Sequence, residues 1–235
     1  DKMETLVGLF GIGQMPTGEK DPFALRRHAL GVLRMLIEKA LPVSLNTLID
    51  AAWEAEKTVP GVSDHREELR QFFQDRLRVM LRDAGYTTLE VDAVLALNPE
   101  KLDELPKRLA AVRAFMALPE AEALTAANKR IGNILKKIEG EVPTVVNEAL
   151  FVEDAEKQLF AAINDVEPKA MKCFAAGEYE QMLATLAVLR GPVDNFFDNV
   201  MVNAEDPALR ATRQALLKRL YDVMNKVAEV ARLAK

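Results

Sequence analysis

Lys129, Arg130, Lys136 and Lys137 place four cations within about three helical turns, in a chain whose formal net charge is −5. Such a local reversal of sign in an acidic protein is the electrostatic footprint of a short stretch of phosphate backbone. Asn128 and Asn133 lie among these cations, and amide side chains can read base edges as well as cap helices. The competing reading is a merely solvated helix face. A second group sits in the run from Gly191 to Asn203, where the adjacent aromatics Phe196 and Phe197 are flanked by Asn195, Asn199 and Asn203. Side chains of these types stack on an unpaired base or hydrogen-bond its edges. They also serve as core rings and helix caps, and that reading stands beside the first. Neighbours on a helix point roughly 100° apart, so at least one of the two rings is expected in the core and at most one is open to a base.

Other chemistries find no residues to carry them. His28 and His65 are lone histidines without a partner at metal-ligand spacing, and neither is read as a ligand. No Ser-His-Asp set, Walker loop or GxGxxG turn is present, and the glycines of Gly8 to Gly13 lack the preceding strand that would make a phosphate cradle. Cys173, beside Lys172 but with no nearby histidine, reads as a structural thiol. No catalytic residue and no metal site is assigned. Arg213 is unusual, because the helical period puts it inside an apolar stripe between Leu209 and Leu216. A guanidinium there needs a carboxylate or several carbonyls, and Asp194, Asp198 and Glu205 are the nearby candidates for a structural partner.

The elements that must position these residues are helical. Hydrophobic residues make up 49% of the 235 and charged residues 29%, which predicts a folded, soluble chain with ample apolar surface to bury. Its acidic balance argues against a protein that grips duplex DNA, so any RNA contact must be local. A single cysteine excludes an intrachain disulfide framework and points to a reducing compartment. The start at Asp1 has neither the basic region nor the cleavage site of a signal peptide, and no apolar run is long enough for a membrane span, so a cytoplasmic location is expected.

No alternating strand pattern is convincing, and the expected fold is all-α. Residues 1–10 read as the last turns of a helix, as if the chain were cut from something longer. Asp21 and Pro22 open a helix that buries Leu25, Ala29, Val32, Leu33, Leu36 and Ile37. Ser44 caps the next, through Trp53, and Asp64 with Glu67 forms a capping box for a helix running to Gly85. Shorter helices are expected at 88–96, 99–105 and 106–118. A division near Pro119 gives two domains, 1–118 and 119–235. The second begins with a helix over 120–138, whose Ile131, Ile134, Leu135 and Ile138 form a core face opposite the cations. Helices over 153–175 and 178–189 lead to the stretch at 191–203, whose Val-Met-Val run reads as an extended crossing. Asp206 and Pro207 then open a final helix that continues to the end.

Four runs of sequence carry a resemblance. They are Asp1 to Gly8, Pro16-Thr17-Gly18-Glu19-Lys20-Asp21-Pro22-Phe23-Ala24-Leu25-Arg26-Arg27, Asn128 to Lys137, and Val193 to Asp206. In order, over nearly the whole chain, they resemble the C-terminal portion of the beta subunits of bacterial heterotetrameric glycyl-tRNA synthetases, also called glycine-tRNA ligases. The resemblance implies that residues 1–118 are a helical body, the end of an HD-type region plus linker helices. Residues 119–235 would be a DALR-like anticodon-binding bundle, similar to those of arginyl-tRNA and cysteinyl-tRNA synthetases. It further implies an alpha2-beta2 heterotetramer whose alpha subunit uses ATP and glycine for aminoacylation, while this part of the beta subunit binds glycine tRNA, holds no cofactor and catalyses nothing.

On that reading Lys129, Arg130, Lys136 and Lys137 hold anticodon-stem phosphates, and Asn133, Asn195, Asn199, Asn203 and one of Phe196 or Phe197 approach bases. An alternative is a helical scaffold for alpha/beta assembly without RNA contact, which predicts an exposed apolar patch within 20–110. The chain departs from the family in two places. Gln214 replaces the leucine of a common Arg-Leu-Ala-Leu-Leu run, which implies that this position faces outward. The tail from Val227 to Lys235 is also unlike the family's. The metal pair of an HD region would lie before residue 1, with only Asp1 as a trailing remnant.

Overall fold

The structure, a computed structural model describing residues 1–234, contains helices and no β-strand among the described residues, apart from the isolated bridges Thr17 to Lys20 and Ser44 to Lys101. Its helices are α1 (Lys2–Gly11), α2 (Leu25–Glu38), α3 (Leu45–Glu56), α4 (Arg66–Asp83), α5 (Thr88–Leu95), α6 (Leu105–Met116), α7 (Ala121–Leu135), α8 (Asp154–Ala175), α9 (Tyr179–Ala187), α10 (Arg190–Asn199) and α11 (Pro207–Met224). Two compact units emerge, one of residues 1–91 and 98–106, the other of 92–97 and 107–235. Compactness thus assigns α6 to the second unit, although the sequence puts its break at Pro119, after that helix.

In the first unit α1 packs against α2, α3 and α4. Leu6, Val7 and Phe10 of α1 are buried, as are Leu25, Ala29, Val32, Leu33 and Leu36 of α2 and Leu69, Phe73, Leu77 and Leu81 of α4, each set at helical spacing. Gly11 ends α1 where the chain folds back on it. Ser63 donates its N–H to the Gly11 carbonyl at 2.8 Å, and a Cβ at Gly11 would stand 2.5 Å from Val62 Cγ1.

Several helix ends differ from the sequence reading. Pro22 is not the first residue of α2. Ala24, at φ 54°, breaks the chain direction there, and the helix begins at Leu25 with the Asp21 carboxylate accepting the N–H groups of Leu25 and Arg26 at 2.8 and 3.0 Å. The capping box of Asp64 and Glu67 does not form. Asp64 accepts the Arg66 N–H at 3.1 Å, but the Glu67 carboxylate turns to Arg70 at 3.4 Å. Only a 3₁₀ turn, Leu102–Glu104, occupies the expected helix at 99–105. The final helix stops at Met224, because Asn225 folds the chain over itself, donating to the Tyr221 carbonyl at 2.7 Å and accepting from Val230 N–H at 2.8 Å. The described part of the tail is packed, with Val227, Ala228, Val230 and Leu233 buried. Buried Arg108 of α6 donates to the carbonyls of Lys226 and Val227 at 2.9 and 3.1 Å, while its guanidinium lies 4.8 Å from the Tyr179 ring centre.

The long helix α8 organises the second unit, packing against α9, α10 and α11. Its first turn holds Glu156, whose side chain is fully buried. Glu156 Oε1 accepts from Arg213 Nε of α11 at 2.6 Å, and Oε2 accepts the N–H groups of Val152 and Glu153 at 2.9 and 2.7 Å. Arg213 also donates to the Met201 carbonyl at 2.8 Å. The partner of Arg213 is therefore Glu156 rather than Asp194, Asp198 or Glu205. Asp198 and Glu205 are exposed and Asp194 lies 3.5 Å from Arg190 on its own helix, so none of the three accompanies the buried Arg213 into the core. Burial pushes the Glu156 carboxyl up, but the hydrogen bonds from Arg213 and the two backbone N–H groups outweigh it and leave the group below the ordinary carboxylate range.

Three outcomes follow from this packing. Gly11→Ala should lower stability by about 1–3 kcal/mol in urea unfolding, since the methyl overlaps Val62. Arg213→Met should cost about 3–5 kcal/mol by leaving the Glu156 carboxylate buried without its partner, and the double variant Glu156→Leu, Arg213→Met should cost less than the single one. Because the folded-state pKa of Glu156 is depressed, its contribution is complete above the unfolded carboxylate pKa of about 4.3 and is lost as pH falls through the folded value. Glu156→Gln should therefore flatten the dependence of stability on pH below about pH 4.5, as read from urea midpoints across an acid series.

Candidate nucleic-acid interface

The helix that carries the cations is short of its expected length. α7 ends at Leu135, beyond which Lys137 and Ile138 bond back only three residues, to the carbonyls of Ile134 and Leu135 at 3.1 and 3.3 Å, before Gly140 turns the chain at φ 84°. Its inner face buries Leu124, Ala127, Asn128, Ile131 and Leu135, and Gly132 lets it come close to α11, for a Cβ there would stand 3.2 Å from the Tyr221 ring. Asn128 is therefore no reader of bases. It is fully buried and its amide nitrogen points to Met224 Sδ at 3.8 Å.

The stretch at 191–203 is helical for most of its length. α10 takes Arg190–Asn199, and Val200, with φ −118° and ψ 120°, starts an extended crossing in which Val200 and Val202 are buried and Met201 is 75% exposed. Two guanidinium groups pin the crossing through its backbone: Arg213 at the Met201 carbonyl and Arg210 at the Ala204 carbonyl, 2.8 and 2.9 Å. Asp206 then caps α11, accepting the Ala208 N–H at 2.8 Å, with Pro207 in the first turn. Asn203 is held between the two pinned carbonyls with its side chain exposed.

These elements enclose a groove of about 480 Å³. Lys129, Arg130, Asn133 and Lys137 line it from α7 and just beyond, Asn203 from the crossing, and Gln214 from α11. Ala126, Ile134 and Ile138 supply its apolar surface, so the two isoleucines, expected in a core face opposite the cations, are half-buried beside them instead. Lys129, Lys136 and Lys137 are exposed and make no ion pair among the described residues. Arg130 lays its guanidinium over the Phe197 ring, 4.2 Å from the centroid, and Phe197 in turn meets Phe196 edge-on at 5.7 Å.

The residues singled out from sequence thus fall into separate groups. Lys129, Arg130, Asn133, Lys137 and Asn203 share the groove, whereas exposed Lys136 lies past the last turn of α7 and is not one of its walls. Phe196 is completely buried and is a core ring, not a surface for a base, since its position on α10 turns it inward with Val193. Phe197 is half-buried beneath Arg130. Asn195 and Asn199 bond to each other and to α8: Asn199 Nδ2 donates to the Asn195 Oδ1 at 2.8 Å, and Asn195 Nδ2 donates to Gln158 Oε1 at 2.9 Å. They do not line the groove. Gln214 is a polar wall residue that residue type alone does not single out as a contact; the only signal is its departure from the family's Arg-Leu-Ala-Leu-Leu run, which implies an outward direction. No cluster of three or more His, Cys, Asp or Glu suited to a metal occurs among the described residues, and no described helix is long and apolar enough to cross a membrane.

Residues 1–96 match the model of the glycyl-tRNA synthetase beta subunit, and residues 124–230 match that of the DALR anticodon binding domain, which contains the groove. The glycine-tRNA ligase beta subunit of Leptothrix cholodnii is 62% identical over 234 residues, a match covering 100% of this chain and 32% of that protein. Those of Thiobacillus denitrificans and Janthinobacterium sp. are 57% and 58% identical over 235 residues, covering 100% of this chain and 33% of each relative. The chain spans about a third of the length of these curated relatives, on their C-terminal side. With both of its halves matched in order, the chain belongs to the glycyl-tRNA synthetase beta subunit family and carries that family's DALR anticodon-binding domain.

Proposed function

We propose that this chain is the tRNA-binding, anticodon-recognising part of a glycine-tRNA ligase beta subunit. It supports ATP-dependent attachment of glycine to glycine tRNA on the alpha subunit, within an alpha2-beta2 heterotetramer in the cytoplasm. The chain itself catalyses nothing and holds no cofactor. The observation that carries the reading is the groove of α7, the crossing and α11: unpaired cations and unpaired amides face one concave surface, in a chain of net charge −5. Cations of this kind suit stem phosphates, and amides suit the exposed base edges of a single-stranded loop. Lys136 lies outside the groove and can follow the phosphate track further along the stem.

A second reading, a helical scaffold for alpha/beta assembly without RNA contact, draws on the exposed side chains of Phe23, Met35, Leu41, Val43, Val59 and Leu89 in the 20–110 region. The two readings separate experimentally. In filter-binding titrations of glycine tRNA against the assembled synthetase, Lys129→Glu with Lys137→Glu should weaken binding and reduce the slope of log affinity against log salt by about 1.5 or more. Unchanged affinity and slope, together with loss of alpha-subunit pull-down on substituting Phe23 and Met35, would establish the scaffold instead.

A further inference from the structure

Within the groove one cation is unlike the rest. Lys129 and Lys137 are exposed point charges, whereas the Arg130 guanidinium is set over the ring of Phe197 at 4.2 Å, and Phe197 is braced edge-on by the buried Phe196. No carboxylate or carbonyl partner holds Arg130 among the described residues. Arg130 is a wall of the groove and Phe197 is not. A guanidinium held against an aromatic ring leaves its other face available, and that face accepts a nucleobase as an aromatic side chain does. The amides of Asn133, Asn203 and Gln214 share the same groove without a hydrogen-bond partner among the described residues, so their donors and acceptors are available to a base edge. The apolar sides of Ile134 and Ile138 complete a cavity of about 480 Å³, within the size range of small-ligand sites.

We infer that this groove is a seat for one unpaired base, which stacks on the Arg130 guanidinium backed by Phe197 and presents its edge to Asn203 and Gln214, while Lys129 and Lys137 hold the flanking phosphates. The inference rests on the tRNA-binding reading and refines it in two respects. Arg130 becomes a base platform instead of a phosphate contact, and Gln214 becomes a specificity-determining residue.

Substitution of arginine by lysine separates platform from charge, because lysine keeps the cation and loses the plane. In filter binding of glycine tRNA to the assembled synthetase, Arg130→Lys should weaken affinity by about 5- to 150-fold with the salt slope unchanged. Phe197→Leu, which keeps apolar bulk against Phe196, should weaken it in the same direction. An abasic scan of the anticodon loop should find one position where removing the base is costly for the wild type and nearly without effect for Arg130→Lys. At that position Gln214→Leu should reduce discrimination among the four bases.

Arg130→Lys binding within about two-fold of wild type, or an abasic penalty equal in both proteins, would overturn the platform. Unaltered base discrimination in Gln214→Leu would overturn the role of that amide. Both failures are distinguishable from failure of the tRNA-binding reading itself, which would appear as insensitivity to charge reversal at Lys129 and Lys137.

Discussion

A single buried ion pair sets the geometry on which the second unit depends. Arg213 and Glu156 are drawn together across 57 positions of sequence, and each has its remaining capacity filled by backbone: the Met201 carbonyl on one side, the Val152 and Glu153 N–H groups on the other. Isolated, either charge would be costly to bury. Together they join the start of α8, the middle of α11 and the crossing at 200–206 at one point. The groove inherits its shape from that junction, because two of its walls, Asn203 and Gln214, flank the pinned carbonyl and the pinning arginine in sequence.

Helical periodicity made the fold class and the main core stripes legible. Leu25, Ala29, Val32, Leu33 and Leu36 were all recognisable as one face, as were Ile131 and Leu135 of α7. Caps were legible where the signal is local, as at Ser44, which accepts the Thr47 N–H, and Asp206. They misled where a nearby charge competed, as when Arg70 drew Glu67 away from the start of α4. The end of α11 was hidden for another reason. Nothing in the amphipathic pattern beyond Met224 reveals that Asn225 bonds both backward and forward, or that Arg108, more than a hundred residues earlier, waits for the Lys226 and Val227 carbonyls.

The candidate site was legible by halves. The cations and Asn203 could be chosen by residue type, and the need of Arg213 for a partner followed from its place in an apolar stripe. Which partner it takes depends on tertiary approach, which spacing does not encode. The same limit applies to Phe196 and Phe197. Helical geometry separates the two rings by roughly 100°, yet only packing decides that Phe196 is core and that Phe197 is roofed by an arginine from α7. Asn195 and Asn199 had the right chemistry for base edges and spend much of it on one another and on Gln158.

The crossing is anchored through main-chain oxygens, at Met201 and Ala204, and not through the side chains of those residues. A carbonyl is common to every amino acid, so residues 201 and 204 can vary without loosening the anchor. Asn203 between them can then be exchanged for a residue with different hydrogen-bonding preferences while the backbone beneath it stays in place. On the proposed reading, anchoring and ligand contact are thereby carried by different parts of the same short segment, one by the backbone and the other by an exposed side chain, which leaves the segment open to retuning by substitution at a single position.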